Sequence, residues 1–451
     1  MIIKKILSSL FAIFFFQLIH GQMIIQKDPL IEKMVNEIST DSLKSYINSL
    51  VSFGTRHTLS ATDNNKRGIG AARQWIISKF NQFSKYSNGR MTVELDKWVS
   101  TPDGNRVDVN ADMANAMAIL HGADTADKRI FIISGHMDSR VSNIMNRTDD
   151  APGANDDGSG TAAVIECARI MSSRSFPATI IFVAVCGEEQ GLLGSAHLAD
   201  RAKQNGWNIE AVLNNDIIGS NNSNETGIVD NTRVRIFSEG LPAFDLEKKA
   251  SYIRQYGLEN DGPGRQLARY MKETGERYTP NLEVVMVYRS DRFLRGGDHL
   301  PFLQRGFTAV RITEMNENYE HQHQDIRVEK NIQYGDLPLF MDFGYLRKNV
   351  SLNLSSLANL AKSPSMPVDL KIDVKNLSNS TYLYWSASPT GKIKGYYVLM
   401  RETTVAQWQK KFFTVQTEMR LPYSKDNYFF AVESVSDDGN ESLPVIPSIG
   451  K

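Results

Sequence analysis

Ile130-Phe-Ile-Ile-Ser-Gly-His-Met-Asp138 and Thr179-Ile-Ile-Phe-Val-Ala-Val-Cys-Gly-Glu-Glu189 decide the fold. Each opens on an apolar run with no polar alternation, then turns at a glycine into side chains that bind protons or metals. A sheet strand with one wet face alternates polar and apolar residues, whereas an unbroken apolar run is covered on both faces. That reading predicts a central, largely parallel sheet flanked by helices.

The pattern continues outward from these two runs. Further β-rich segments fall at 91–99, 116–121, 211–218, 234–238, 282–288 and 308–313, with helical patterns at 161–172, 195–205, 264–274 and 299–305. Residues 28–85 read as helical, with amphipathic runs at 43–51 and 68–80, and another helical segment covers 337–361. Alternation of this kind predicts an α/β domain with a mixed, largely parallel sheet over 28–362. Ser363-Pro-Ser-Met-Pro367 reads as a linker. Beyond it only short strands are predicted, at 368–374, 381–387, 394–401, 412–417 and 427–435, with Trp385 and Tyr396 as core candidates. Such spacing predicts a small all-β sandwich over 368–448.

The 451 residues are too many for one ordinary domain, and 41% hydrophobic with 23% charged residues is a globular composition. Lysine plus arginine equals aspartate plus glutamate at 51 each, so no bulk field draws the chain to nucleic acid or to a membrane. Lys4 and Lys5, the apolar run 6–19 and Gly21 before Gln22 read as an export signal over 1–21. The run is short for a membrane span of ~20 residues. A secreted, periplasmic or extracellular protein is expected, with no membrane span after signal removal. Two cysteines, Cys167 and Cys186, cannot make a disulfide framework. Two buried thiols are favoured over a bond between them.

Four clusters of metal-capable residues share one placement, the carboxyl end of a predicted strand, where open α/β sheets bind ligands. His136-Met-Asp138 follows the first run, and its alternation places both side chains on one side, so that one ligates and the other orients it. Gly153-Ala-Asn-Asp156-Asp157-Gly-Ser-Gly160 precedes a helix start, where glycines let the backbone bring a carboxylate close to an ion. Gly187-Glu188-Glu189-Gln-Gly191 pairs two glutamates that repel unless they divide a task, one binding metal and one moving a proton. Asn214-Asn-Asp216 closes the strand at 211–218. Oxygen and imidazole donors suit zinc, manganese or cobalt. A fifth ligand is sought in Tyr319-Glu-His321-Gln-His323-Gln-Asp325.

The ordered set Ser134-Gly-His-Met-Asp138, Ala151-Pro-Gly-Ala-Asn-Asp-Asp-Gly-Ser-Gly160, Gly187-Glu-Glu-Gln-Gly191 and Asn215-Asp216 resembles the co-catalytic zinc exopeptidases. That family includes bacterial leucyl aminopeptidases, aminopeptidase Y and the glutamate carboxypeptidase II relatives, and the resemblance covers residues 28–360. It implies two zinc ions, with His136 on one, Asp156 bridging both, and Glu189 and Asp216 each completing one side. It implies Glu188 as general base, Asp138 as support for His136, and an unusual backbone at Asp157. The family's last ligand is a histidine four residues before an aspartate, which selects His321, with His323 as its rival. Where the family often has tyrosine before this histidine, the chain has Glu320, with Tyr319 one position back. Tyr319, Asp298 and Arg292 are candidate substrate contacts.

The expected activity is removal of N-terminal residues from peptides or proteins, because the core motifs hold many carboxylates and no arginine cluster. Arg289, Arg292 and Arg295 keep a carboxypeptidase or dipeptidase reading open. A glutaminyl cyclase-like enzyme with one zinc, and a peptide-binding protein on an inactive scaffold, compete with it. The tail after Pro367 resembles a fibronectin type III module, an adhesion or spacing element.

Overall fold

Eight strands build the main sheet: β1 (Met91–Ser100), β2 (Ala111–Leu120), β3 (Arg129–His136), β4 (Thr179–Val185), β5 (Asn208–Asn215), β6 (Arg233–Phe237), β7 (Glu283–Val287) and β8 (Ala309–Glu314). The computed structural model describes residues 25–450 apart from 245 and 376, so the expected export signal lies outside the described residues. The strand order is β1-β2-β4-β3-β5-β8-β6-β7. The central four, β4-β3-β5-β8, are parallel. At one edge β2 and β1 join antiparallel; at the other, β6 runs antiparallel to β8 and parallel to β7.

Nine helices among the described residues accompany the sheet: α1 (Pro29–Asn36), α2 (Thr40–Ser52), α3 (Ile69–Ser84), α4 (Gly158–Met171), α5 (Leu193–Gln204), α6 (Leu246–Tyr256), α7 (Pro263–Tyr278), α8 (His299–Gln304) and α9 (Phe343–Lys362). The unbroken apolar runs are explained by burial on both faces. Phe131, Ile133, Ile180 and Phe182 pack in one core with Ile47 of α2, Ile165 of α4 and Leu357 of α9. Their neighbours Ile132, Ile181 and Val183 point the other way, onto Leu198 and Ala202 of α5 and Phe302 of α8. Each such side chain contributes roughly 1.5–3 kcal/mol by leaving water, which is what keeps the strand ends fixed. Among the described residues no helix is long and apolar enough to cross a membrane.

Most expected elements are present, with shifted ends. The helix expected at 337–361 starts later, because Pro338–Phe340 forms a 3-10 turn and Asp342 caps α9 by accepting from the Tyr345 N–H at 2.9 Å. α6 was not anticipated. Cys167 and Cys186 are buried free thiols.

After a short hairpin, β9 (Arg327–Glu329) and β10 (Ile332–Tyr334), the tail forms two further sheets. One contains β11 (Val368–Asp373), β12 (Thr381–Ser386), β15 (Glu418–Leu421) and β17 (Ser448–Gly450); the other β13 (Gly395–Glu402), β14 (Lys410–Thr414) and β16 (Tyr428–Val435). Leu383, Trp385, Tyr396, Val398 and Val432, drawn from both sheets, share one core. The segment read as a linker is pinned on both sides. Arg129 Nη2 donates to Ser363 O at 2.7 Å, and Ser434 Oγ donates to Ser365 O at 2.7 Å. Buried ion pairs, Arg401–Asp261 and Arg277–Glu441, cross from the tail to α7 and the loop before it. The tail is therefore docked onto the α/β unit.

Candidate active site

The carboxyl ends of the four parallel strands deliver the chemistry. His136 is the last residue of β3, Glu188 and Glu189 follow β4, Asp216 follows β5, and the loop after β8 carries His323. Asp156 and Asp157 sit at the start of α4, joined by a cis peptide bond. The glycines around them are required by close approach. A Cβ on Gly135 would lie 2.5 Å from the Gly160 carbonyl carbon, and one on Gly160 would lie 2.3 Å from the Asp157 carboxylate. Only a bare backbone lets the α4 start come so near β3.

Two groups of donor atoms result, His136, Asp156 and Asp216 in one and Asp156, Glu189 and His323 in the other, each with its atoms within 4.8 Å of one another. His136 Nε2 lies 3.1 Å from Asp156 Oδ1 and 3.9 Å from Asp216 Oδ1. His323 Nε2 lies 2.8 Å from Asp156 Oδ2 and 3.0 Å from Glu189 Oε1. His136 Nε2 and Glu189 Oε1 are buried without a hydrogen-bond partner. Convergent oxygen and imidazole donors with unsatisfied buried atoms fit a pair of zinc ions.

The surrounding residues hold these donors in place. Asp138 accepts Thr58 Oγ1 at 2.8 Å and the Glu189 N–H at 3.1 Å, and its Oδ1 lies 3.6 Å from His136 Nδ1. His136 Nδ1 hydrogen-bonds the Asp138 backbone carbonyl at 3.1 Å, and a proton held there leaves Nε2 free to ligate. Asp157 accepts from the His136 N–H at 2.9 Å and the Gly160 N–H at 2.8 Å, tying β3 to α4. Arg311, buried under the sheet end, lies 2.9 Å from Asp216 Oδ2.

Charge crowding moves several groups far from their ordinary values. Burial opposes ionisation of His136, but Asp138, Asp156 and Asp216 outweigh it and hold the imidazole well above its usual range. Against the same burial, His323 and His136 hold the Asp156 carboxyl well below its range. Burial, then Asp216 and Glu189, push Glu188 well above the ordinary glutamate value despite the opposing His136. His323 rises to about 9; burial opposes this, and Glu189 and Asp156 cause it.

Three expectations need correction. His321 belongs to neither donor group; its ring stacks on Phe340 with centroids 3.6 Å apart, and burial lowers it to about 4. His323, with φ 58°, turns inward instead, so the position expected at His321 is taken by its rival. In an irregular turn, spacing to Asp325 does not determine side-chain direction. Asp298 is buried, accepts Ser195 Oγ at 2.5 Å and is not among the residues lining the cavity over the donor groups. The core motifs hold no arginine cluster, but the folded cavity does: Arg106 and Arg140 join the candidates Arg292 and Arg295 in lining the space of about 380 Å³ over the donor groups. Tyr319 is exposed and lines an adjoining cavity with Arg292 and Arg295.

Two supporting residues escaped the sequence reading. Arg56, fully buried, donates to the carbonyls of Met137 at 2.7 Å and Gly153 at 2.8 Å, bracing the Asp156 loop. Asp336 accepts the Asn155 and Asp156 N–H groups at 2.9 and 2.7 Å, and burial pushes its carboxyl up to about 7. Neither lies in a motif; a lone arginine and an aspartate after glycine carry no pattern.

The sequence profile of Peptidase family M28 matches residues 115–338. A probable zinc metalloprotease of Leptosphaeria maculans is 42% identical over 421 residues, covering 93% of this chain and 97% of its own. Another, from Pyrenophora teres f. teres, is 41% identical over 93% of this chain and 87% of its own. Among solved structures, the LapA aminopeptidase of Legionella pneumophila aligns with TM-score 0.53 at 19% identity, over 77% of this chain and 79% of its own. The glutaminyl cyclase of Macrostomum lignano aligns with TM-score 0.53 at 15% identity, over 75% and 95%. At those identities the shared property is the fold.

Proposed function

Because the chain belongs to peptidase family M28, we propose that this zinc metallopeptidase is a secreted exopeptidase that removes N-terminal residues at a pair of zinc ions sharing Asp156. One observation carries the reading: Asp156 is a member of both donor groups. His136 and Asp216 would hold one ion with it, and Glu189 and His323 the other. Manganese or cobalt suit the same donors.

Held by these residues, zinc would supply Lewis acidity for the scissile carbonyl and for water. The chain's own residues do the rest. Glu188 borders the cavity and belongs to neither donor group, and burial with Asp216 and Glu189 raises its proton affinity, which makes its ionised form a stronger base than an ordinary glutamate. It takes a proton from the attacking water and returns it to the leaving amine. Asp138 keeps the His136 ring in its working orientation, and Asp336 and Arg56 keep the Asp156 loop from relaxing.

The test is Glu188→Gln, measured by zinc content and by hydrolysis of aminoacyl nitroanilides. Two zincs per chain should remain while kcat falls by about 10²–10⁴-fold. A variant turning over at the wild-type rate would remove Glu188 from the mechanism. One zinc per wild-type chain with glutaminyl cyclisation would instead support a cyclase. The four arginines of the lining favour a second reading, a dipeptidase or carboxypeptidase on the same centre.

A further inference from the structure

Four guanidinium groups face the candidate active-site cavity, and their partners divide them into two kinds. Arg140 Nε lies 2.9 Å from Glu189 Oε2, and Arg292 Nη1 lies 2.6 Å from Glu317 Oε2, so both are already matched by carboxylates. Arg106 is not: its Nη1 donates to the backbone carbonyl of Glu189 at 2.8 Å, and it has no carboxylate partner among the described residues. The Arg295 side chain, exposed at the rim, makes no ion pair or hydrogen bond among the described residues.

The negative groups of the same lining are Asp156, Glu188, Glu189 and Asp216. Under the reading above, three ligate metal and one moves a proton. None remains to receive a substrate ammonium, whereas two guanidinium groups remain to receive an anion. Guanidinium presents a planar fork that matches a carboxylate in charge and in shape. The cavity of about 380 Å³ is small among ligand pockets, which run from roughly 300 to 1,000 Å³. Apolar contact is available at its edge from Leu192 and Leu294.

We infer that Arg106 and Arg295 hold a substrate carboxylate beside the metal centre, so that the enzyme takes short peptides with a free carboxylate next to the scissile bond, dipeptides foremost. The inference rests on the peptidase reading and gives it a substrate class. In a dipeptide, removal of the N-terminal residue and of the C-terminal residue are the same cleavage. The carboxylate is recognised at the leaving-group end.

The test compares the zinc-loaded full chain with its Arg106→Gln and Arg295→Gln variants on leucyl-glycine, leucyl-glycinamide and leucyl-aspartyl amide. Leucyl-glycine should exceed leucyl-glycinamide by about tenfold or more in kcat/KM, the worth of one charge-assisted hydrogen bond. Each variant should draw that ratio towards one. Leucyl-aspartyl amide identifies the source: recovery of the rate with it assigns the preference to an acidic side chain, and no recovery assigns it to the terminal carboxylate. Calorimetric titration of Glu188→Gln with leucyl-glycine and with leucyl-glycinamide reads the same preference without turnover. Equal binding of acid and amide, with equal cleavage, would overturn the inference and leave the peptidase reading intact. Tight, carboxylate-dependent binding with no hydrolysis of any peptide by the wild-type chain would uphold the clamp and remove the peptidase reading.

Discussion

Replacing Asp261 by alanine should cost about 3 kcal/mol of stability, because this carboxylate joins the tail to the α/β unit. It lies just before α7, with Arg269 Nη1 at 3.2 Å on one oxygen and Arg401 Nη2 at 2.5 Å on the other. Arg269 belongs to α7 and Arg401 to β13, and the three side chains are 0%, 2% and 3% exposed. Removing one member of a buried charge cluster strands the others and costs roughly 3–5 kcal/mol. The low end applies because both arginines keep other acceptors. Arg401 Nη1 still donates to Val405 O at 2.7 Å, and Arg269 Nη2 to Asn260 O at 2.6 Å. Asp261→Asn, which retains an acceptor but no charge, should lose less. Urea unfolding followed by circular dichroism gives the change in midpoint at constant slope, and trypsin sensitivity around residues 363–367 reports whether the tail has lifted. A loss below about 0.5 kcal/mol, the level of an ordinary surface substitution, with no new cleavage, would refute the claim that this cluster carries the docking.

Three further outcomes are expected. His323→Ala should lose one zinc per chain while His321→Ala keeps both; elemental analysis decides, and the opposite pattern would restore His321 as the ligand. Asp336→Ala should weaken zinc binding by about 10–100-fold, the usual effect of removing a group that orients a ligand, as read by competition with a chelator. Glu210 is pushed by burial up to about 7 from 4.5, with Asp127 adding to this and Arg129 opposing it. Folding therefore favours its protonated form, a stabilisation complete below about pH 4.5 and lost as pH rises through 7. Glu210→Gln should accordingly gain about 2 kcal/mol over the wild type between pH 5 and 8, the partly exposed carboxyl being screened; a gain that does not grow with pH would contradict this.

What could be read from the sequence follows from periodicity. Ile130–Ile133 and Ile180–Val183 point alternately into two cores, so unbroken apolarity announced a two-faced sheet, and strand ends then located His136, Glu189 and Asp216. Gly135 and Gly160 carried a packing demand visible as glycine spacing. Irregular backbone carries no such signal. Nothing in Tyr319-Glu-His-Gln-His323 shows that one histidine stacks on Phe340 while the other turns inward. Arg56 and Asp336 act through backbone groups 81 to 181 residues away, which single-residue identity does not reveal. Arg292 and Arg295 were legible as candidates, but the rest of the arginine lining, Arg106 and Arg140, was hidden for the same reason. Arg106, Arg140 and Arg295 come from three separate loops and meet only in the folded chain.

The central claim is that one carboxylate, Asp156, is shared by two metal sites. Crystals of the zinc-loaded chain, measured on either side of the zinc absorption edge, test it directly. The account predicts two anomalous peaks flanking Asp156, one touching His136 and Asp216 and the other touching Glu189 and His323. A single peak, or a second one placed away from Asp156, would contradict it.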